Sequence, residues 1–198
     1  MHIIILNTGC SNLSSINWAI QRLGYSPKVT RDVKEISHAD KLIIPGVGTA
    51  STVMECINQH KLIDVIKTYK KPILGICLGF QLFCSSSAES KTKFIKTLNI
   101  INEPVALLQT KGLPLPHIGW NQIIPIKSHV LFKGITQNSR FYFLHSYAVT
   151  TNPYTIATTY YGQKFTSVIQ KNNFFGVQFH PEKSGIDGSI LLKNFLEM

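Results

Sequence analysis

Pro72-Ile73-Leu74-Gly75-Ile76-Cys77-Leu78-Gly79-Phe80-Gln81 sets a short apolar run against a cysteine with a glycine two residues to either side. A strand that ends in small-x-nucleophile-x-small and turns straight into a helix makes an elbow, because the glycines let the backbone bend sharply beneath the reactive atom. The thiol then sits at a helix N-terminus and at the C-terminal end of a strand, where open α/β sheets carry their sites. Far downstream, Phe179-His180-Pro181-Glu182 offers an imidazole and a carboxylate two residues apart. In extended backbone these two point to one side, so His180 can take the thiol proton while Glu182 orients the ring and supports its charge. Both the helix start and the imidazole favour the thiolate, which is the form that attacks. An oxyanion formed on attack needs donors aimed in advance, and the amide of Leu78 and an amide of Gly46-Val47-Gly48 are the natural candidates, here Val47 or Gly48.

Around this elbow the first half alternates short apolar runs with amphipathic helical patterns, the arrangement of crossover units on a parallel sheet. Strands are expected at His2 to Leu6, near Pro27 to Thr30, at Lys41 to Ile44 and at Pro72 to Ile76. Ile16, Ala19, Ile20 and Leu23 recur at helical spacing, with Ser11, Asn12 or Ser14 able to cap the start and Gly24 suited to the end. Helical segments fill the interval from Gly48 to Tyr69. The second half changes to alternating runs around Val105 to Leu108, Gln122 to Ile126, Arg140 to Leu144, Thr155 to Tyr160, Ser167 to Gln170 and Phe174 to Gln178, expected as antiparallel additions. Ser189 to Glu197 should close the core as a helix, and Ser85 to Lys96 is polar enough for a mobile surface segment. The expected fold is therefore α/β: an open, mostly parallel central sheet flanked by helices, of flavodoxin-like type, with added antiparallel strands.

Composition limits what such a chain can be. With 198 residues and 44% hydrophobic content, one full-sized core is supported and two are not, so residues 1–198 read as a single domain. No apolar run approaches the ~20 residues of a membrane span, and Met1-His2 runs into a strand without a leader pattern, so a cytoplasmic location and no membrane partner are expected. Cys10, Cys56, Cys77 and Cys84 show no Cys-x-x-Cys pairing, which favours reduced thiols and no metal. A formal charge of +10 raises the question of nucleic acid, yet the lysines are scattered and no recognition motif or aromatic platform accompanies them. The charge reads as solvated surface, compatible with a phosphorylated substrate or an acidic partner. Gly46-x-Gly48 lacks the third glycine of a dinucleotide loop, Ser51 standing in its place, so no cofactor is expected.

Each of these signals alone has an ordinary structural explanation, since a cysteine beside an apolar strand is usually a small buried hydrophobe. Their coincidence is what carries weight. Gly75 to Gln81 together with Phe179 to Glu182 resembles the class I, or triad, glutamine amidotransferases. Pro45-Gly46-Val47-Gly48, Pro116-His117-Ile118-Gly119-Trp120-Asn121, Phe141 to Tyr147 and Gly176 to Ser184 are similar to the branch formed by glutaminase subunits of imidazole glycerol phosphate synthases.

That resemblance spans nearly the whole chain. It implies hydrolysis of glutamine to glutamate and ammonia through a thioester on Cys77, with His180 and Glu182 completing the triad. Ammonia would pass to a separate cyclase subunit, a (β/α)8 barrel forming a heterodimer with this chain. There it enters imidazole glycerol phosphate, with release of an aminoimidazole carboxamide ribonucleotide, in histidine biosynthesis. By motif, Gly48, Gln81, Glu89, Ser146 and Tyr147 would hold glutamine, while Asn12, Trp120, Tyr142 and Lys183 would face the cyclase. Phe80 stands where several relatives carry His or Met, and Thr49-Ala50 where some carry an aromatic, which bears on the lining of the pocket. Two other readings of the same residues are a cysteine hydrolase acting on peptides or γ-glutamyl conjugates, and a non-catalytic binding subunit.

Overall fold

The computed structural model of the chain describes residues 1–9, 13–46, 48–90 and 94–198, so the roles expected of Asn12 and Val47 and the caps at Ser11 and Asn12 lie outside the described residues. The first half runs β1 (Ile3–Leu6), α1 (Leu13–Arg22), β2 (Lys28–Thr30), α2 (Val33–His38), β3 (Lys41–Ile44), α3 (Ala50–Gln59), α4 (Leu62–Thr68), β4 (Ile73–Ile76) and α5 (Leu78–Gln81). There follow β5 (Ser86–Ser87), β6 (Ile95–Lys96), β7 (Pro104–Leu107), β8 (His117–Gln122), β9 (Ile124–Pro125) and β10 (Arg140–His145). The chain ends with β11 (Tyr147–Val149), β12 (Thr155–Tyr161), β13 (Gln163–Lys171), β14 (Phe174–Val177) and α6 (Gly185–Leu196).

Eight strands form the central sheet in the order β2-β1-β3-β4-β14-β13-β12-β9. The first five are parallel neighbours and the last three are joined antiparallel. Period-two alternation explains why β1 and β4 are wholly apolar and β3 is apolar after Lys41. Ile3 and Ile5 enter the core on one face with Ile16, Ile20, Leu191 and Phe195, whereas Ile4 and Leu6 enter the other with Val53, Ile57 and Ile66. A strand covered by helices on both sides has no solvent face to keep polar. Fully burying each isoleucine contributes about 1.5 to 3 kcal/mol. Helix α1 buries Ile16, Ala19 and Ile20, and Gly24, at φ +87°, lets the amides of Gly24 and Tyr25 return to Gln21 and Ile20. Ser14 lies inside α1 and is not its cap.

Three expectations need correction. The run Phe174 to Gln178 is an antiparallel addition on one side only, because β14 pairs antiparallel with β13 but inserts beside β4 and pairs with it in parallel, Val177 opposite Ile76. Its residues are buried throughout, and that central slot favours an uninterrupted apolar strand. The run Gln122 to Ile126 is displaced: the strand is β8, which forms a two-stranded antiparallel ribbon with β10, and only the two residues of β9 join the main sheet. Alternation in β8 was obscured by Gly119 and by buried His117 on the inner face. Ser85 to Lys96 is tied down in its described part, since β5 pairs with β6 and β7 and the Ala88 amide donates to Val105 O at 3.0 Å. Ser87 is fully buried.

The elbow and the loop after β3 meet backbone to backbone. A Cβ on Gly79 would overlap Ile44 O, one on Gly46 would overlap Ile76 O and Leu78 N, and one on Gly75 would lie 2.6 Å from Gly79 O. Backbone cannot step aside as a side chain can, so Gly79→Ala should cost about 3 kcal/mol. Urea unfolding would register this as a lower midpoint at unchanged slope. A loss below about 1 kcal/mol would mean that the two loops can separate.

Candidate active site

Cys77 adopts φ 52°, ψ −110°, a conformation that costs a residue with a side chain on the order of 1 to 3 kcal/mol. Two hydrogen bonds hold it there: Cys77 N donates to Val177 O at 2.7 Å, and Gln81 N donates to Cys77 O at 3.1 Å. The expected helix does follow, but α5 is a single turn. Carbonyls that would extend it are diverted, Leu82 O to the Leu98 amide at 2.9 Å, Phe83 O to those of Ile100 and Ile101 at 2.8 Å, and Cys84 O to that of Asn99 at 2.7 Å. Positive potential at the sulfur therefore comes from first-turn N–H groups, which have no intrahelical acceptor, and not from a long helix dipole.

His180 lies just beyond β14. Its amide donates to Tyr142 O at 2.8 Å, and its carbonyl accepts from Ser184 Oγ at 2.6 Å. Glu182 does not reach it by strand alternation. Pro181–Lys183 is a 3-10 turn begun by the proline, and this turn folds the carboxylate back so that Glu182 Oε1 meets His180 Nδ1 at 2.8 Å. Both side chains are less than a tenth exposed, at 6% and 8%. Burial alone pushes the imidazole toward neutrality. The negative charge of a Cys77 thiolate, a hydrogen bond to that sulfur, and the bond and charge of Glu182 outweigh it and raise the His180 pKa to about 10. The arrangement favours an imidazolium, held by Glu182 on one side and facing the Cys77 sulfur on the other.

These groups open on a cleft of about 240 Å³. Its lining brings together Cys77, His180 and Glu182 with Gly48, Leu78, Gln81, Glu89, Ser146 and Tyr147 from the expected set. Glu89 is held in place by the β5 pairings and by the Ala50 amide at the start of α3, which donates to Oε2 at 2.6 Å. Gln81 is buried, and its carboxamide nitrogen donates to Tyr147 O at 2.8 Å and to Gln178 Oε1 at 3.0 Å. Both hydrogens are thereby committed.

Sequence reasoning passed over Gln178. Its Nε2 donates to Cys77 Sγ at 3.7 Å, while the thiol faces Leu144 O at 3.6 Å. The available signal was its position two residues before His180, on the same side of an extended segment. His145 was missed as well, although it lines the cleft.

Three of the four residues expected to face a partner form one patch. Trp120 and Tyr142 are directly opposed across the β8–β10 ribbon, their rings edge to face at 6.2 Å, and Lys183 Nζ lies 5.9 Å from the Tyr142 ring centre. Ile118 and Leu144, the next outward pair, extend the patch. Ile118 is 58% exposed and Trp120 53%. Among the described residues no group of three or more His, Cys, Asp or Glu side chains could hold a metal, and no helix is long and apolar enough to cross a membrane.

A family model described as glutamine amidotransferase class-I matches residues 4–198, a span that includes the elbow and the His180–Glu182 turn. The chain belongs to the class I glutamine amidotransferases. Within that family, the imidazole glycerol phosphate synthase subunit HisH of Buchnera aphidicola is 57% identical over 198 residues, covering all of both chains. The subunit of the same name from Photorhabdus laumondii is 53% identical over 201 residues, again covering all of both. The crystal structure of a glutamine amidotransferase from Thermotoga maritima superposes with a TM-score of 0.64 at 17% identity, covering 100% of this chain and 82% of that one. At that identity the likeness is one of amidotransferase fold.

Proposed function

We propose that residues 1–198 act as one domain, the glutaminase subunit of an imidazole glycerol phosphate synthase, in the cytoplasm and in histidine biosynthesis. The observation that carries the chemistry is the Cys77 sulfur on a positive-φ elbow, sharing one cleft with a buried His180–Glu182 pair. The Cys77 thiolate attacks the side-chain carbonyl of glutamine, and the oxyanion is met by the Leu78 amide and by an amide at Val47 or Gly48. His180 gives its proton to the departing nitrogen, which leaves as ammonia, and a γ-glutamyl thioester remains. Water, deprotonated by His180, then releases glutamate and restores the thiolate. Glu182 keeps the imidazole in the required orientation throughout.

Gly48, Gln81, Glu89, Ser146 and Tyr147 are the proposed glutamine contacts. Because both amide hydrogens of Gln81 are taken, its share in binding falls to the carboxamide oxygen. The carboxylate of Glu89 suits the substrate's α-ammonium group. Ammonia passes to a cyclase subunit, a (β/α)8 barrel, which docks on the face carrying Trp120, Tyr142 and Lys183, with Asn12 also assigned to it. Full-length identity above 50% to subunits of that name supports this choice among the amidotransferase branches.

Rapid acid quenching during turnover with isotopically labelled glutamine should leave label on the peptide containing Cys77, detectable by mass spectrometry. Label on another residue, or none while glutamate is produced, would rule out the thioester. Cleavage of γ-glutamyl peptides in preference to glutamine would favour a general cysteine hydrolase.

A further inference from the structure

At the wall of the cleft and behind it, two buried histidines with no place in the proposed chemistry, His145 and His117, form a chain whose proton positions can be worked out from its ends. At the outer end, Asn121 Oδ1 accepts from the Gln122 amide at 2.8 Å, and Asn121 Nδ2 donates to Tyr160 O at 3.0 Å. Both partners are backbone groups of fixed sense, so the orientation of the carboxamide is settled. Its remaining hydrogen points at His117 Nε2, 3.3 Å away, which must be an unprotonated acceptor. At the inner end His145 Nδ1 lies 3.0 Å from Tyr147 O and must carry a hydrogen. The two rings meet at 3.1 Å, His117 Nδ1 to His145 Nε2. One assignment satisfies every link: both rings neutral, both protonated on Nδ1, with His117 donating to His145.

A proton added to either ring would set one N–H against another donor. Packing agrees. His117 is stacked against Phe143 at 4.9 Å and Tyr161 at 4.0 Å; burial lowers its pKa to about 4, and burial together with the neighbouring His117 lowers that of His145 to about 3.

The chain does not end at Tyr147. Its carbonyl accepts from His145 and from Gln81 Nε2, Gln81 also donates to Gln178, and Gln178 donates to the Cys77 sulfur. His117 and His145 are register partners on β8 and β10. The same two strands present Trp120, Tyr142, Ile118 and Leu144 on the opposite face. A hydrogen-bond path thus runs from the ribbon to the nucleophile, its donor sense reversing at Tyr147 O, which accepts from both sides.

We infer that His117 is a positioning residue for glutamine hydrolysis, acting through His145 and Tyr147 O to orient Gln81 and Gln178 around the Cys77 sulfur. This rests on the reading of the cleft as a glutaminase site. His117→Phe keeps the ring and its stacking but removes the N–H to His145, which then has no donor and can adopt the other tautomer. His117→Asn leaves an amide N–H close to the position of Nδ1 and supplies the conservative comparison.

The test assays the full chain in complex with its cyclase partner, with glutamine and separately with ammonium chloride, counting active sites by thiol titration. H117F should lose on the order of tenfold in glutamine-dependent kcat per active site, the effect of one hydrogen bond, with ammonium-dependent synthesis unchanged and partial recovery in H117N. Wild-type rates in H117F, an equal loss with ammonium, or no recovery in H117N would overturn the inference. Nitrogen-15 NMR of the unaltered protein near neutral pH provides a check that needs no variant to fold: both rings should show the neutral Nδ1–H form, and an imidazolium or Nε2–H form at either would also overturn it. Cys77→Ala, run in parallel, separates the two levels. If it retains glutamine activity the glutaminase reading fails, whereas loss in C77A beside an unaffected H117F removes only the role of His117.

Discussion

Cys77→Ala is expected to leave no measurable glutamine-dependent product, while the same variant in complex with its cyclase partner continues to use added ammonium salt at the unaltered rate. Removing the nucleophile of a triad costs on the order of a millionfold in kcat, because the remaining members have no bond to assist. The structure gives reasons to expect a clean separation. The side chain is nearly buried and its elbow is held by backbone hydrogen bonds, Cys77 N to Val177 O and Gln81 N to Cys77 O, which alanine also makes. Alanine bears the same positive-φ cost as cysteine and so leaves the geometry in place. The patch with Trp120 and Tyr142 is built by other strands and should dock as before. Equal loss with glutamine and with ammonium would refute the division of labour between the two subunits.

Ile118→Asp combined with Trp120→Ala is expected to weaken the complex with the cyclase by about 2 to 4 kcal/mol, at least thirtyfold in Kd, the scale of losing central interface anchors. Both residues are more than half exposed in the isolated chain, so stability should move by no more than about 0.5 kcal/mol. Their exposure carries the argument. An indole and an isoleucine side by side on an outward face, with Tyr142 and Leu144 opposite, make an apolar surface that water solvates poorly, and Lys183 at its border supplies a charge. Titration calorimetry with the purified cyclase would measure the loss. Undiminished affinity would place the interface elsewhere on the chain.

How far the site was legible depended on the distance in sequence over which each signal acts. Cys77 stood out because an elbow is a local device, with its glycines within two residues. One of them, Gly79, turned out to serve a tertiary contact as well, since together with Gly46 it allows the β3 loop to touch the elbow. His180 and Glu182 were found as a pair, but for a partly wrong reason. Pro181 starts a tight turn where alternation along a strand was expected. Gln178 carries only its position two residues before His180 as a signal, and the His117–His145 pair carries no local signature. A buried glutamine or histidine in a sequence looks like a surface one, and only the hydrogen-bond partners distinguish them. Those partners are Cys77 at the elbow, Gln81 in α5, Asn121 in β8 and Tyr147 in β11.

The fold divides in the same way. Short apolar runs at Ile3–Leu6, residues 42–44 and Ile73–Ile76 were sufficient to specify buried parallel strands, because burial on both faces leaves no room for polar alternation. The placement of Phe174–Val177 beside β4 was not. A short apolar run is equally consistent with an edge and with the centre of a sheet, and what selects the centre is the space between β4 and β13. That choice sets His180 against Cys77, 103 residues away in the chain by their numbers. By itself, then, the sequence determined which residues can do chemistry and which strands are buried, since both are properties of nearest neighbours and of period. Tertiary structure alone decided which of those residues meet, because contact between distant segments is governed by strand order and packing.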